Sequence, residues 1–193
     1  MLVGLASGFT APSVVPVSPL AAARPLPRTA APPTMASAVV TTAWVGSTVV
    51  TGALPAVFVV KNLEPWYASL KKPTWSPPNN IFAPVWSTLY ALIGLSCSRA
   101  LGNPAAAPRN LVMIWAVQAV LNLSWAPVFF GAHKLRLGFF VSTALLASAC
   151  TMTSAFAAAS SVANAALLLP YLAWLTFATA LNARLWQLNG AAP

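Results

Sequence analysis

The sequence predicts an all-α membrane protein built as a bundle of five transmembrane helices. Of its 193 residues, 59% are hydrophobic and 6% are charged, whereas soluble domains usually carry about 25% charged residues. A water-facing surface needs more charge than this, so most of the surface is expected to face lipid. Five apolar stretches approach the ~20 residues that a helix needs to cross the hydrocarbon. An open sheet is excluded because lipid cannot pair the backbone groups at its edges.

Residues 1–36 differ from the rest of the chain and are expected to form a disordered tail. They are rich in alanine and proline, contain Arg24 and Arg28, and lack acidic residues. Proline recurs too often in them for a helix. This composition is typical of an organelle transit segment, and a tail without a targeting role is the alternative. The expected location is a mitochondrial or plastid envelope, or else an endomembrane. Residues 37–193 are expected to form the membrane domain.

The five predicted spans cover about 37–60, 81–101, 110–130, 135–157 and 162–186. Pro55 lies near the end of the first span, where a kink is tolerated. Residues 61–80 form a long polar loop, whereas the other joints are short. Short joints predict that consecutive helices are antiparallel neighbours.

The chain has ten Lys and Arg residues and one acidic residue, Glu64. The cations lie between the apolar stretches and form no basic helix or stripe, so a nucleic-acid partner is not expected. By the positive-inside rule they place the long loop and the C-terminus on the cytosolic side. That side carries Lys61, Lys71, Lys72, Lys134, Arg136 and Arg184, and the other side carries Arg99, Arg109 and the two arginines of the tail.

Residues suited to catalysis or metal binding are sparse. One carboxylate cannot form an acid–base pair, and no Ser or Cys has a nearby His with an orienting acid. Cys97 and Cys150 lie in separate apolar stretches, as small apolar filler residues do. His133 is the single histidine, without a second ligand at metal-binding spacing. We therefore expect no enzyme activity, no metal site and no obligatory cofactor.

Gln118 and Asn122 are four residues apart in the third span and therefore share one face of the helix. Trp115, Trp125 and Phe129 recur on the same face. Amides that face lipid are costly, so this face should point into the protein. Two interpretations follow: hydrogen bonds between helices, or a pocket wall that offers two amides to the polar edge of a ligand. The spacing favours the first and leaves the second open.

Tryptophans at mid-span depth are the second unusual feature. Trp86 in the second span shares a face with Tyr90, Trp125 lies in the third span, and Trp174 lies in the fifth, four residues after Pro170. Membrane tryptophans usually lie at the interface, and a buried indole N–H needs a hydrogen-bond partner. Deep tryptophans on three helices exceed what packing needs, which favours a large flat apolar ligand between the rings.

Four motifs carry a resemblance to a known family: WYASLKKPTWSPP (66–78), PVWSTLY (84–90), LNLSWAPVFFG (121–131) and PYLAWLTFATALNARLWQLN (170–189). From about Trp44 to the C-terminus the chain resembles the TspO/MBR family of translocator proteins and tryptophan-rich sensory proteins, also called peripheral benzodiazepine receptors. The resemblance implies a five-helix bundle, often a homodimer, with a cavity closed by the long first loop. It also implies binding of protoporphyrin IX and haem, and in some members of cholesterol and synthetic ligands.

The resemblance further implies which residues line the site. The family's pocket positions fall on Tyr67, Trp86, Asn122, Trp125, Trp174, Ala178 and Leu181. The long loop would act as a lid, whose flat rings and stiff backbone lose little entropy on closing. The lid residues are Trp66, Pro73, Trp75, Pro77 and Pro78. An aromatic belt at the membrane surface is the alternative for this loop. Lys71 and Lys72 would either meet porphyrin propionates or lipid head groups, or simply carry cytosolic-side charge.

Two departures from the family bear on ligand choice. Asn80 stands where members commonly have Trp, which removes one ring from the lid. Ala183 stands where animal members often have Tyr, so the proposed cholesterol motif is absent there. The expected function is therefore tetrapyrrole binding in porphyrin transport, scavenging or stress-linked regulation. Cholesterol or lipid translocation and light-dependent porphyrin breakdown are the alternatives.

Overall fold

The computed structural model describes residues 35–64, 66–102 and 109–190, and these ranges contain helices but no strand. The helices are α1 (Met35–Ala53), α2 (Ala56–Leu63), α3 (Phe82–Leu101), α4 (Arg109–Ala126), α5 (Leu135–Ala159), α6 (Val162–Ala166) and α7 (Leu169–Asn189). Short 3-10 turns at Tyr67–Ser69 and Asn79–Ile81 lie in the long loop. Of the predicted tail, residues 1–36, residues 1–34 lie outside the described residues, and α1 begins within its last two residues, at Met35.

Five stretches are apolar and long enough to cross a membrane: Ser37–Leu63, Asn79–Leu101, Arg109–Gly131, Leu135–Ala159 and Val162–Asn189. The predicted fold class, an all-α bundle of five transmembrane helices, is thus confirmed. The first and the fifth stretch end a few residues later than predicted, because helical structure continues into polar residues at the membrane boundary.

Prolines mark the places where three of the spans depart from a regular helix. Pro55 separates α1 from α2, because its missing N–H cannot extend the hydrogen bonds of α1. At the end of α4 the chain widens into a π-helical turn, Pro127–Gly131, in which the Ala132 N–H donates to the Pro127 carbonyl over 2.8 Å. Pro170 lies in the first turn of α7, where an N–H has no helical acceptor. A kink at Pro55 was expected to be tolerated, and the helix is interrupted there. The π turn was not predicted.

The helices form a ring in the order α3, α1, α4, α5, α7. Gly94 lets α1 approach α3 closely, since a Cβ at this position would lie 2.6 Å from Val45 Cα. A hydrogen bond stabilises this contact: the Thr48 hydroxyl donates to the Tyr90 carbonyl over 2.9 Å. Within the described ranges, α3 and α4 do not pack closely along each other, so the expectation that all consecutive spans are neighbours is wrong for this pair. A short joint fixes two helix ends, not the contact along their lengths.

The buried side chains form two clusters at different heights along the bundle. The cluster farther from the long loop, the far-side cluster, is built around Cys97, Phe156 and Tyr171. The loop-side cluster is built around Phe129 and Leu185 and includes residues of the long loop. The ends of α2 and α7, the π turn and the start of α5 meet at this loop-side end. Because consecutive spans run in opposite directions, these helix ends lie on the same side of the bundle as the long loop.

Candidate ligand site

A polar network within the spans links α3, α4 and α7. The Tyr90 hydroxyl donates to Asn122 Oδ1 over 3.0 Å, and Asn122 Nδ2 donates to the Tyr171 hydroxyl over 3.1 Å. Gln118 Nε2 donates to the same hydroxyl. Tyr171 is fully buried and Gln118 nearly so. The face that carries both amides therefore points into the protein, as predicted, and the amides form hydrogen bonds between helices.

Aromatic rings form a row beside this network. Trp86 stacks on Tyr90 with ring centroids 5.4 Å apart and contacts Trp174 edge to face at 6.4 Å. Trp174 contacts Phe177 at 5.3 Å, and Phe177 contacts Trp75 of the long loop at 5.8 Å. The row thus connects the polar network in the far-side half of the bundle with the loop.

A groove of about 630 Å³ lies between α3 and α7, next to this row of rings. Apart from Thr88, its lining side chains are apolar or aromatic, among them Val85, Leu89 and Trp174. Trp174 Nε1 is buried and has no hydrogen-bond partner among the described residues. Small-molecule sites are typically apolar hollows of about 300–1,000 Å³ with a few polar groups. The groove has this size and this chemistry, and we refer to it as the α3–α7 groove.

Three of the predicted pocket residues lie in the loop-side cluster. Trp125 stacks on Phe129 at 5.1 Å, and its Nε1 donates to Asn182 Oδ1 over 3.2 Å. Tyr67 contacts the same Phe129 ring at 6.3 Å, and Leu181 is buried in this cluster. The indole N–H of Trp125 therefore has a hydrogen-bond partner, whereas that of Trp174 has none in the part of the chain that the structure describes.

Three contacts hold the long loop against the bundle. Trp66 stacks on His133 with ring centroids 4.3 Å apart and planes 14° apart. His133 Nε2 and Asn62 Oδ1 form a hydrogen bond of 3.0 Å. At the end of α7, Asn189 Oδ1 accepts from the Lys71 N–H and Asn189 Nδ2 donates to the Lys71 carbonyl, both over 2.9 Å. The loop therefore covers the loop-side cluster, which is the geometry that a lid requires.

Among the described residues of the long loop, Tyr67 is buried, with 4% of its surface exposed. Burial raises the pKa of its hydroxyl above the usual value of 10, so the hydroxyl keeps its proton at physiological pH and remains a hydrogen-bond donor. Lys72 Nζ lies 4.6 Å from the centre of the Tyr67 ring and donates to the Ala68 carbonyl over 3.3 Å. These contacts direct Lys72 toward its own loop, whereas Lys71 is exposed.

The predicted pocket residues thus fall into two groups. Trp86, Asn122 and Trp174 lie around the polar network, whereas Tyr67, Trp125 and Leu181 lie in the loop-side cluster. Ala178 is half-buried on α7 between Trp174 and Leu181. Trp174 lines the α3–α7 groove, and the other six do not. That all seven contact one ligand stays a prediction.

The predicted lid residues differ in exposure. Trp66, Pro73 and Pro77 are half-buried, whereas Pro78 is exposed and Trp75 is 48% exposed. The Ser76 N–H donates to the Pro73 carbonyl over 3.0 Å, so the prolines frame a tight turn. Asn80, where the family commonly has Trp, is exposed in the turn before α3.

Sequence reasoning missed Tyr171, Asn182 and Asn189 as functional partners. Tyr171 precedes Trp174 by three residues, so helical spacing already placed it on the tryptophan's face. Asn182 lies inside an apolar span, and an amide at this depth requires a partner. These two signals were present in the sequence. The link between Asn189 and Lys71 left no sequence signal, because the two residues are far apart in the chain.

Comparison with known proteins decides the family. The model of the TspO/MBR family matches residues 44–187. The chain belongs to the TspO/MBR family. It is 39% identical over 142 residues to protein CrtK of Rhodobacter capsulatus, which covers 72% of this chain and 85% of that protein. It is 41% identical over 130 residues to the translocator protein of Homo sapiens (64% and 75% covered). With the tryptophan-rich protein TspO of Chlorobaculum tepidum it shares 36% identity over 148 residues (75% and 92%).

Membership of the TspO/MBR family confirms the resemblance drawn from the four sequence motifs. Together with the five apolar spans, it makes this chain a multi-pass integral membrane protein of the translocator and tryptophan-rich sensory type. The matched region begins at Trp44 and ends just before Asn189. It therefore includes the polar network, the α3–α7 groove and the long loop.

Proposed function

We propose that this TspO/MBR protein binds a tetrapyrrole, protoporphyrin IX or haem, inside the membrane. It would act in porphyrin transport, scavenging or stress-linked regulation, without an obligatory cofactor and without catalysing a reaction. An organelle envelope is the proposed location. The tetrapyrrole would be the ligand whose concentration the protein senses or moves.

The observation that carries the proposal is the Trp174 indole at the wall of the α3–α7 groove. Its N–H is buried without a partner, and a buried donor left unsatisfied costs about 1–3 kcal/mol. A ligand that displaced the side chains over this nitrogen and placed an acceptor atom against it would remove this cost. Trp86 and Phe177 flank the same ring, and such rings favour a flat partner in offset or edge-to-face contact. A tetrapyrrole offers both a broad flat face and polar atoms.

The charges at the loop-side end fit the acidic side chains of such a ligand. Lys71 is exposed in the same loop as Trp75, the residue at which the row of rings ends. A macrocycle that lay along the row would direct its carboxylates toward this end. Because the chain's one acidic residue is Glu64, few protein carboxylates compete for these cations.

A sterol is the second candidate ligand. The lining of the α3–α7 groove is almost wholly apolar, which suits a rigid hydrocarbon skeleton. One sterol hydroxyl would suffice to accept from Trp174 Nε1. A sterol would leave the cations at the loop-side end without a partner, which makes the tetrapyrrole the better match.

The test is a titration of the purified full chain with protoporphyrin IX, followed by the absorbance of the porphyrin so that loss of a tryptophan does not alter the signal. Trp174→Phe removes the N–H and keeps a ring, and Trp174→Ala removes both. We expect W174F to weaken binding about fivefold, as for one hydrogen bond of about 1 kcal/mol, and W174A to weaken it further.

Trp44→Ala is the matched control. Trp44 is half-buried against Trp115 on α1 and α4, and it does not line the groove. Equal affinities for W174A and W44A would refute the site assigned here. Cholesterol in place of the porphyrin tests the second candidate. If cholesterol displaces bound protoporphyrin IX at lower concentration than haem does, the sterol is the better ligand.

A further inference from the structure

A second groove lies at the loop-side end, between the start of α5 and the end of α7. Its volume is about 450 Å³. Its lining includes Lys134, Arg136, Phe140, Trp186 and Asn189, and we refer to it as the basic groove. It shares no lining residue with the α3–α7 groove, so the proposed tetrapyrrole site does not account for it.

Lys134 and Arg136 give the basic groove a positive charge that no acidic side chain cancels. Glu64, the one acidic residue of the chain, does not line the groove. Both cations are exposed and therefore accessible to a ligand. The helix dipoles do not decide the sign of the charge in the groove, because the start of α5 carries partial positive charge and the end of α7 carries partial negative charge. The two cations make the groove attractive to an anion.

Aromatic rings hold the Arg136 guanidinium in place. Its central carbon lies 5.8 Å from the centre of the Trp186 ring and 6.0 Å from that of Phe140. Cation–π contacts of this kind orient the planar group and leave its N–H donors free at the edge. A guanidinium presents these donors in pairs that match two oxygens of a phosphate.

Apolar side chains of α5 continue from the basic groove into the membrane. Leu137 is 45% exposed and Phe140 is 50% exposed, and both lie in the span Leu135–Ala159. A ligand held by Lys134 and Arg136 through its charged group would lay an apolar part along these two side chains. A free phosphate ion would not use them. The combination favours a lipid over a soluble anion.

We propose that the basic groove binds an anionic phospholipid, with its phosphate between Lys134 and Arg136 and its acyl chains along Leu137 and Phe140. Basic pockets next to a span at the membrane surface suit such headgroups because each cation contributes to the attraction. A zwitterionic lipid has a positive group of its own, which gains nothing from the two cations. The groove therefore distinguishes phosphatidylglycerol from phosphatidylcholine.

The test titrates the purified full chain in detergent micelles with phosphatidylglycerol and, in parallel, with phosphatidylcholine of the same chain length. Native mass spectrometry counts the lipids retained per protein. The variant K134Q/R136Q removes both cations of the groove. The matched control K61Q/R184Q removes two exposed cations from the same end of the bundle, neither of which lines the groove.

The wild type is expected to retain one phosphatidylglycerol at saturation and to bind phosphatidylcholine at least tenfold more weakly. Each cation of the groove is expected to contribute about fivefold to this affinity, so K134Q/R136Q should lose most of it and K61Q/R184Q little. If the double variant does not fold, K134Q and R136Q singly give the same comparison. Equal losses in the two double variants would overturn the proposal in favour of a net-charge effect. Displacement of the lipid by soluble glycerol phosphate at an equal concentration would overturn it in favour of a free anion.

Discussion

Replacing Tyr171 with Phe isolates the contribution of the polar network to the packing of α7. Phe keeps the aromatic ring that fills the core, where Tyr171 is fully buried. It removes the one oxygen that accepts from both Gln118 Nε2 and Asn122 Nδ2. Two amide donors then lose their acceptor at membrane depth.

The expected loss of stability follows from these two bonds. A hydrogen bond between membrane helices contributes about 0.6 kcal/mol on average, and a buried donor left unsatisfied costs about 1–3 kcal/mol. For two donors that share one acceptor, we expect Y171F to lower the free energy of unfolding by about 1–3 kcal/mol. Tyr90→Phe removes a single bond to Asn122 Oδ1 and leaves an acceptor rather than donors. It should cost about 0.6 kcal/mol.

Reversible unfolding in mixed micelles with increasing sodium dodecyl sulfate, followed by far-ultraviolet circular dichroism, measures both changes on the same scale. Y171F should unfold at the lowest detergent fraction, Y90F at an intermediate one and the wild type at the highest. If Y171F were as stable as Y90F, the shared acceptor would contribute no more than a single bond. The reasoning from orphaned donors would then be wrong.

Two further perturbations test the packing and the loop. Gly94→Ala is expected to destabilise the bundle by about 1–3 kcal/mol, because its Cβ would lie 2.6 Å from a backbone atom of α1. Gly46→Ala is the control, since a Cβ there meets nothing within 4 Å and should be tolerated. The same unfolding measurement compares the two variants, and equal stabilities would contradict the close approach of α1 to α3. Asn189→Ala should raise the rate of trypsin cleavage after Lys71 about thirtyfold, because two hydrogen bonds of about 1 kcal/mol each hold that backbone. Gln187→Ala is its control, and an equal rate in both variants would show that Asn189 does not anchor the loop.

The five spans were predictable because the length and composition of each stretch determine whether it crosses the membrane. A helix of a given length either crosses the hydrocarbon or does not, and the composition of each stretch decides whether lipid accepts it. The order of the helices around the ring was not predictable in the same way. α3 and α4 are consecutive in the chain, yet α1 lies between them in the ring, and the close approach that Gly94 permits is to α1.

For the candidate site, the sequence predicted which face of α4 points inward but not which residue its amides bond to. The spacing of Gln118 and Asn122 places both amides on one side of α4, and the structure confirms that this side points inward. Helical spacing puts their partner, Tyr171, on the same face of α7 as Trp174, but which residues of α4 this face meets depends on how the two helices pack, and no local pattern reports that. Trp174 was singled out for an N–H that needs a partner, and it has none among the described residues.

The π turn at Pro127–Gly131 sets a constraint on length that a loop would not. Phe129 and Phe130 are adjacent, yet their side chains are 0% and 5% exposed, although neighbours on a regular helix point about 100° apart. The surplus residue in this coil lets both benzyl groups turn inward. Deleting one amino acid here would restore a regular helix and turn one benzyl group away from the core, so the number of residues in this stretch is constrained as well as their identity.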